Sequence, residues 1–575
     1  MDYKERIASN IAKITGLEQA KVSDLIEIPP QMSLGDYAFP CFVLAKTMHK
    51  APAAIAQELC DNHELTDGAV TAKNAGPYVN FFIDRKVLAE EVLTEIILKG
   101  SRYGEENIGE GRNVIVEFSS PNIAKPFHVG HAFTTILGNS ISAIYGKLGY
   151  NVVRFNHLGD YGTQFGKLIT AYRLWGDEEA LGKAPIDELL RIYVRFHEEA
   201  EKDPSLEDAA RENFRKLEEG CSDEVALWER FRKLSLEVFE KTYNRMGVKF
   251  DNYNGESFYS SRIPAVVDML REKGLLEESE GAQVVKLDDE GLPPCIILKS
   301  DGTTIYASRD LAAVLYRYEN YHFDKNIYVV GLPQQLHFKQ VFAVLRKAGY
   351  KCADDCVHVG FGLVKFKNNT AFSTRKGNIV LLDDLLNKTV EKTAEIIKTN
   401  AAARGDDMSA DEIAEIAEKI GIGAVKYTYL KSGREKDILF DWDEMLDFEG
   451  DTAPYLIYTY ARTRSILRKA DSLGLDIASG SGLGLLTGDD EYAVIRNLAD
   501  YKDSIRKAAA SYEPFMVSRQ IAVIARSYNR FYNNSSILSA DSTEQKKARL
   551  ALCSCVCEVL RSGLELLGIN VVEKM

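Results

Sequence analysis

The stretch that most constrains the fold runs from residue 114 to residue 175. Short apolar runs alternate there with helical segments: "VIVEF" (114–118), a helical 131–148, "NVVRFN" (151–156) and "TQFGKLITAYRLW" (163–175). The first and third are short and β-branched, as buried strands are, and the segments between them have helical length and spacing. Strand, helix, strand, helix in that order builds a parallel sheet through right-handed crossovers. The pattern breaks at about 176–247, a charged helical stretch, and resumes with "NIYVVG" and "HVGFGLVKF" as strands around the helix "FKQVFAVLRKAG". The fold expected is α/β: a Rossmann-like parallel-sheet domain over 106–385 with an insertion at about 176–300. Within the insertion, "AQVVKL", "PPCIILK" and "SDGTTIY" predict a small antiparallel piece with a turn at Asp301-Gly302.

The flanks read differently. Residues 1–105 mix helices and short strands, an α+β module. "MDYKERIASNIAKI" puts Ile7, Ile11 and Ile14 on one helical face, "APAAIAQELC" has Pro52 in a first helical turn, and "YVNFFI" alternates like a strand. The Gly-rich, charged 99–112 reads as a linker. Residues 386–575 predict helices alone, an all-α domain. A chain of 575 residues has room for these several cores.

Composition excludes some classes. No apolar run approaches membrane-spanning length, and the charged start has no signal-peptide core, so a cytoplasmic protein without a membrane or DNA partner is expected. A net charge of −14 argues against a uniformly basic surface, although a local basic track is enough to bind RNA. Nine cysteines, an odd number at irregular spacing, make a disulfide framework improbable. Cys352, Cys356 and His358, and Cys553, Cys555 and Cys557, are the places to look for zinc; neither set has a paired partner elsewhere, and no metal site is expected.

"SSPNIAKPFHVGH" (119–131) sits at the C-terminal tip of the first strand, where such sheets bind ligands. The helix that follows aims its free N–H groups at that place, which favours phosphate. Gly130 permits close approach to the backbone, His128 and His131 can donate to phosphate oxygens, and Lys125 adds a mobile charge. Helix-cap histidines and a zinc pair are the alternatives, and position between strand and helix favours nucleotide binding.

"HVGH" resembles the HIGH signature of class I aminoacyl-tRNA synthetases, and the wider text resembles the arginyl-tRNA synthetase family. The resemblance runs through "GDYAFPCFVLAK", "EFSSPNIAKPFHVGH", "HLGDYGTQFGKLI", "YASRDLAA", "STRKGNIVLLDDLL", "APYLIYTYARTRSILRKA" and "YNRFYNN", in the family's order over essentially the whole chain. It implies ATP-dependent formation of arginyl-adenylate, then transfer of the arginyl group to the 3′ end of tRNA(Arg). It also implies arginine activation that needs tRNA present; ATP is expected as its Mg²⁺ complex and the protein as a monomer. No protein nucleophile is required; positioning and charge stabilisation suffice. The family's lysine-rich KMSKS loop is degenerate here. Aligned on Ser373 in "AFSTRKGN", Ala371 and Thr374 stand at the lysine positions, with Arg375 and Lys376 just beyond. The resemblance implies that Lys125, just before the first signature histidine, substitutes.

By the same resemblance Glu117, Tyr306 and Asp310 hold the arginine side chain, and Asn122, His128 and Gln334 hold its amino and carboxylate groups. His128, Gly130, His131, His337 and Lys376 contact ATP. A forked guanidinium suits carboxylates in plane, and Tyr306 and Asp310 have i, i+4 spacing. From the residues alone, Glu117 could equally be a solvated edge charge and Asp310 a helix cap. For RNA, "ARSYNRFYNN" interleaves basic, aromatic and amide groups: Arg526, Asn529, Arg530 and Asn533 are offered to an anticodon, while Ile524, Tyr528 and Phe531 fall at core spacing and are expected partly buried. The N-terminal module resembles the one that contacts the tRNA elbow, with Phe39 and Asn80 as contact residues. The alternatives are another class I synthetase, a small-molecule nucleotidyltransferase with H-x-G-H, and a non-catalytic RNA-binding relative.

Overall fold

In a computed structural model, residues 3–366, 380–475 and 480–574 are described, and the chain divides into two units. The first gathers residues 1–103, 462–500 and 523–559; the second gathers 104–461, 501–522 and 560–575.

In the first unit β1 (Tyr37–Pro40), β2 (Val70–Ala75) and β3 (Tyr78–Ile83) form an antiparallel sheet with β3 in the middle. Ile7 and Ile11 of the Tyr3–Thr15 helix are buried, while Ile14 at its end is half-buried. Pro52 opens the Pro52–Cys60 helix, where its missing N–H costs nothing. The Asp489–Ala499 helix belongs to this unit as well: Arg496 lies over the Tyr37 ring, 4.8 Å from its centroid, and Arg85 pairs with Asp489 at 2.8 Å.

The second unit holds β4 (Asn113–Glu117), β5 (Asn151–Phe155), β6 (Glu277–Ser279), β7 (Ala282–Val285), β8 (Cys295–Leu298), β9 (Lys325–Val329) and β10 (Cys356–Val359). Its parallel sheet has the order β10-β9-β4-β5, so β4 is central. Val114, Ile115 and Val116 have no exposure, as expected of a central parallel strand covered on both faces. The insertion is helical from Glu178 to Arg245, followed by the antiparallel sheet β6-β7-β8. The third strand of that sheet is Glu277–Ser279; "SDGTTIY" supplies only a bridge, Thr304 to Leu298, after a turn in which Thr303 N–H donates to Asp301.

Two sequence expectations need correction. "HVGFGLVKF" is not one strand. β10 ends at Val359, Gly362 N–H donates to Arg434 O, and β11 (Val364–Phe366) pairs instead with β12 (Ile438–Phe440). The region after 386 is therefore not purely helical. A three-residue strand has no periodicity to read, which is why the pattern missed it. No helix among the described residues is long and apolar enough to cross a membrane.

Candidate active site

β4 ends at Glu117, and an eleven-residue connection, 118–128, leads to the Val129–Lys147 helix. Three non-glycine residues in this connection have left-handed backbone: Ser119 at φ 71°, Ser120 at 46° and Ala124 at 61°. Such strain persists where surroundings over-determine it. Ser119 N–H donates to Thr134 Oγ1, its hydroxyl lies 2.7 Å from Tyr243 Oη, and Ala124 N–H donates to Ser235 Oγ. Asn122 bridges to Gly159, where an added Cβ would fall 2.1 Å from its Oδ1.

His128 is the N-cap of the Val129–Lys147 helix. Its Nδ1 accepts from Gly130 N–H at 3.1 Å, and His131 Nδ1 accepts from His128 N–H at 3.3 Å. With Nδ1 an acceptor in both rings, each carries its proton on Nε2. Burial holds His128 below the usual imidazole range; burial and then His128 push His131 down to about 3. Both are therefore neutral donors at physiological pH, set at the positive end of a helix. Gly130 has a second role that the sequence did not suggest: a Cβ there would lie 3.0 Å from the His128 ring, so glycine lets the capping ring fold back. Lys125 is exposed and makes no ion pair among the described residues. Tyr429, on the Ala410–Leu430 helix, donates to Val129 O at 3.2 Å and props the same turn.

The acids gather at the same edge of the sheet. Glu117 is 6% exposed and accepts from Arg317, with His157 Nδ1 at 3.9 Å from the same carboxylate oxygen. Tyr306 and Asp310 occupy the first turns of the Tyr306–Tyr321 helix. Asp310 Oδ2 lies 2.5 Å from His337 Nε2, and Tyr306 is exposed with Arg309 over its ring. Gln334 is exposed, at the turn that opens the Gln335–Lys347 helix. Glu256 joins this group unforeseen: it pairs with Arg309 at 3.3 Å, and burial pushes its carboxyl up to about 7 against the pull of Arg309 and His157. Asp160, fully buried, takes Arg232 at 3.0 Å and the Ser257 N–H. Glu256 left no sequence signal. Arg317 did leave one, seven residues after Asp310 and so on the same helical face. Arg375 and Lys376 lie outside the described residues.

Of the residues expected to meet RNA, Phe39 is fully buried and Asn80 is 6% exposed within the β1-β3 ladder. Both side chains are packed in the module's sheet, and a tRNA contact through Phe39 and Asn80 stands as a proposal. Ile524, Tyr528 and Phe531 have no exposure at all, more than the partial burial expected. On the other face of the Phe515–Asn534 helix, Arg526 and Asn533 are exposed, Asn529 accepts from Arg462 at 2.6 Å, and Arg530 pairs with Asp490 at 2.7 Å. Arg496, Arg526 and Arg530 line a cleft of about 530 Å³ within the first unit, where Arg496 is paired with Asp36 and Asp500.

Residues 92–442 match the family described as tRNA synthetases class I (R), catalytic domain. Residues 1–83 match the arginyl tRNA synthetase N terminal domain and 456–575 the DALR anticodon binding domain. The chain belongs to the arginyl-tRNA synthetase family. Among curated arginine–tRNA ligases it is 54% identical to those of Clostridium botulinum (strain Alaska E43 / Type E3) and Clostridium beijerinckii, each over 575 residues and 100% of both chains. Two solved arginyl-tRNA synthetases share the fold. That of Plasmodium falciparum aligns with a TM-score of 0.83 at 25% identity, over 100% of this chain and 98% of the other. That of Thermus thermophilus gives 0.81 at 26%, over 100% and 99%. For an arginyl-tRNA synthetase the geometry is apt: neutral donors at a helix N-terminus stand at the same sheet edge as a set of carboxylates.

Proposed function

We propose that the chain activates L-arginine with ATP and transfers the arginyl group to the 3′ end of tRNA(Arg). The observation that carries this reading is 54% identity over all 575 residues to arginine–tRNA ligases. The same identity disfavours a small-molecule nucleotidyltransferase or a different amino-acid specificity.

In the reaction the arginine carboxylate attacks the α-phosphorus of ATP and pyrophosphate leaves; the terminal ribose hydroxyl of tRNA then attacks the adenylate carbonyl and AMP leaves. His128 and His131 donate through Nε2–H to phosphate oxygens as charge builds there, and need no protonation change to do so. Lys125 supplies the mobile cation, with Arg375 and Lys376 assigned to the triphosphate as well. Gly130 and His337 complete the ATP contacts. ATP enters as its Mg²⁺ complex. Asp310, Glu117 and Glu256 receive the guanidinium, with Tyr306 against it; Asn122, His128 and Gln334 orient the amino and carboxylate ends.

We assign adenylation to residues 106–385, the tRNA elbow to 1–105 and the anticodon to 386–575. The polar face of the Phe515–Asn534 helix and the Arg496, Arg526 and Arg530 cleft support an RNA contact in the first unit. The deciding experiment is ATP–pyrophosphate exchange with each amino acid, with and without tRNA. Exchange with arginine alone, and only when tRNA is present, is the expected result; exchange with another amino acid, or none with arginine and tRNA, refutes it.

A further inference from the structure

The helix that bears Asp310 carries a second charge on the same face. Arg317 follows Asp310 by two helical turns, roughly 10 Å along the axis. Its side chain has no exposure, and one amino nitrogen donates to Glu117 Oε2 at 2.5 Å. Three rings surround the guanidinium: its Cζ lies 4.6 Å from the centroid of Phe155, 5.5 Å from that of Tyr328 and 6.0 Å from that of Tyr259. Its Nε and its other amino nitrogen have no hydrogen-bond partner among the described residues. Aromatic faces thus replace water around a cation that cannot deprotonate.

A buried arginine with two idle donors is a costly way to fill space, and an apolar side chain of similar volume would pack there at less cost. Its effect falls on Glu117. That carboxylate stands at the tip of the central strand, almost buried, and Oε1 accepts from no side chain among the described residues. Without Arg317 no side chain among the described residues would fix the rotamer of that carboxylate by a hydrogen bond. With Arg317 fixed behind it, the carboxylate is oriented beforehand and faced by an opposite charge.

We propose that Arg317 is a positioning residue for arginine: an internal counter-ion that holds Glu117 by Oε2 so that Oε1 receives the substrate guanidinium. The inference rests on the reading of Glu117 as part of the arginine pocket. It also accounts for the charge the pocket accepts. Arg317 cancels Glu117 and Arg309 faces Glu256, which leaves Asp310, beside His337, as the acid that one incoming guanidinium neutralises.

The test is steady-state ATP–pyrophosphate exchange in the presence of tRNA, with KM for arginine and KM for ATP measured separately. Arg317→Met should raise KM for arginine by about 30-fold and leave KM for ATP within about two-fold, the signature of lost binding to one substrate. Arg317→Lys, which keeps the charge, should lose less. In Arg317→Ala, ethylguanidinium supplies the atoms missing beyond Cβ. At millimolar concentration it should lower KM for arginine in that variant, whereas in the unaltered protein it can only compete and raise it. Unchanged KM for arginine in Arg317→Met or Arg317→Lys overturns the proposal, as does equal loss toward ATP and arginine. If Arg317→Met and Arg317→Ala fail to fold, the lysine variant decides. Glu117→Gln separates the two levels of the argument. Normal arginine KM in that variant removes Glu117 from the pocket and this inference with it; raised KM there with normal KM in the Arg317 variants refutes the counter-ion alone.

Discussion

At the scale of single residues, the site depends on which protons are already in place. His128 and His131 have Nδ1 committed to backbone N–H groups, so Nε2–H is presented whatever the pH above the imidazole range. Asp310 is the acid with the least cationic company, and Asp310→Asn should abolish arginine activation while ATP still binds. Exchange kinetics check the first part and equilibrium ATP binding the second; near-normal arginine kinetics would take Asp310 out of the pocket. Glu256 gives a pH signature. Its carboxyl is raised to about 7, so it is neutral below that pH and ionised above, while arginine is a cation throughout. KM for arginine should therefore fall as pH rises from 6 to 8, by up to about 10-fold, and Glu256→Gln should flatten the profile. These residues were unequally legible. The histidines, Lys125 and Gly130 announced themselves by standing between a strand and a helix. Glu256 opens the short Glu256–Ser260 helix, 53 residues before Arg309, and only folding places it beside that arginine.

At the scale of elements, period carried most of the reading. β4 and β9 follow from their apolar runs, because a strand buried on both faces has little freedom of composition, while β5, at the edge of the sheet, was read from its β-branched residues and its place between helices. What periodicity could not reveal is the strained link between them. Nothing about serine or alanine signals a left-handed backbone, yet Ser119, Ser120 and Ala124 all adopt one. Ser120 also buries its hydroxyl without a partner among the described residues. Ser120→Gly removes both penalties and should raise stability by about 1–2 kcal/mol. Denaturant unfolding of the second unit would register it, and a loss of stability would show that the hydroxyl is satisfied in solution.

At the scale of the whole molecule, a chain of net charge −14 has to receive a polyanion. A local cationic surface suffices for that, and exposed Arg526 beside Arg530 on the Phe515–Asn534 helix offers one. Arg526→Ala should weaken tRNA binding at every sequence alike and lower the slope of log affinity against log salt by about 1. An unchanged slope would place the RNA elsewhere. The order of the modules was legible from end to end, since each has its own pattern. The division into units was not, because 386–461, 501–522 and 560–575, all from the helical region, group with the parallel-sheet core.

That last placement has a consequence for biosynthesis. Ser140, on the helix that His128 caps, donates to Leu566 O, and Lys426 donates to Met246 O and Gly568 O. The ribosome makes the turn that carries His128 and His131 early and its brace some four hundred residues later. A chain that stops before residue 566 lacks both acceptors, so the helix that bears His128 and His131 is made long before the residues that brace it.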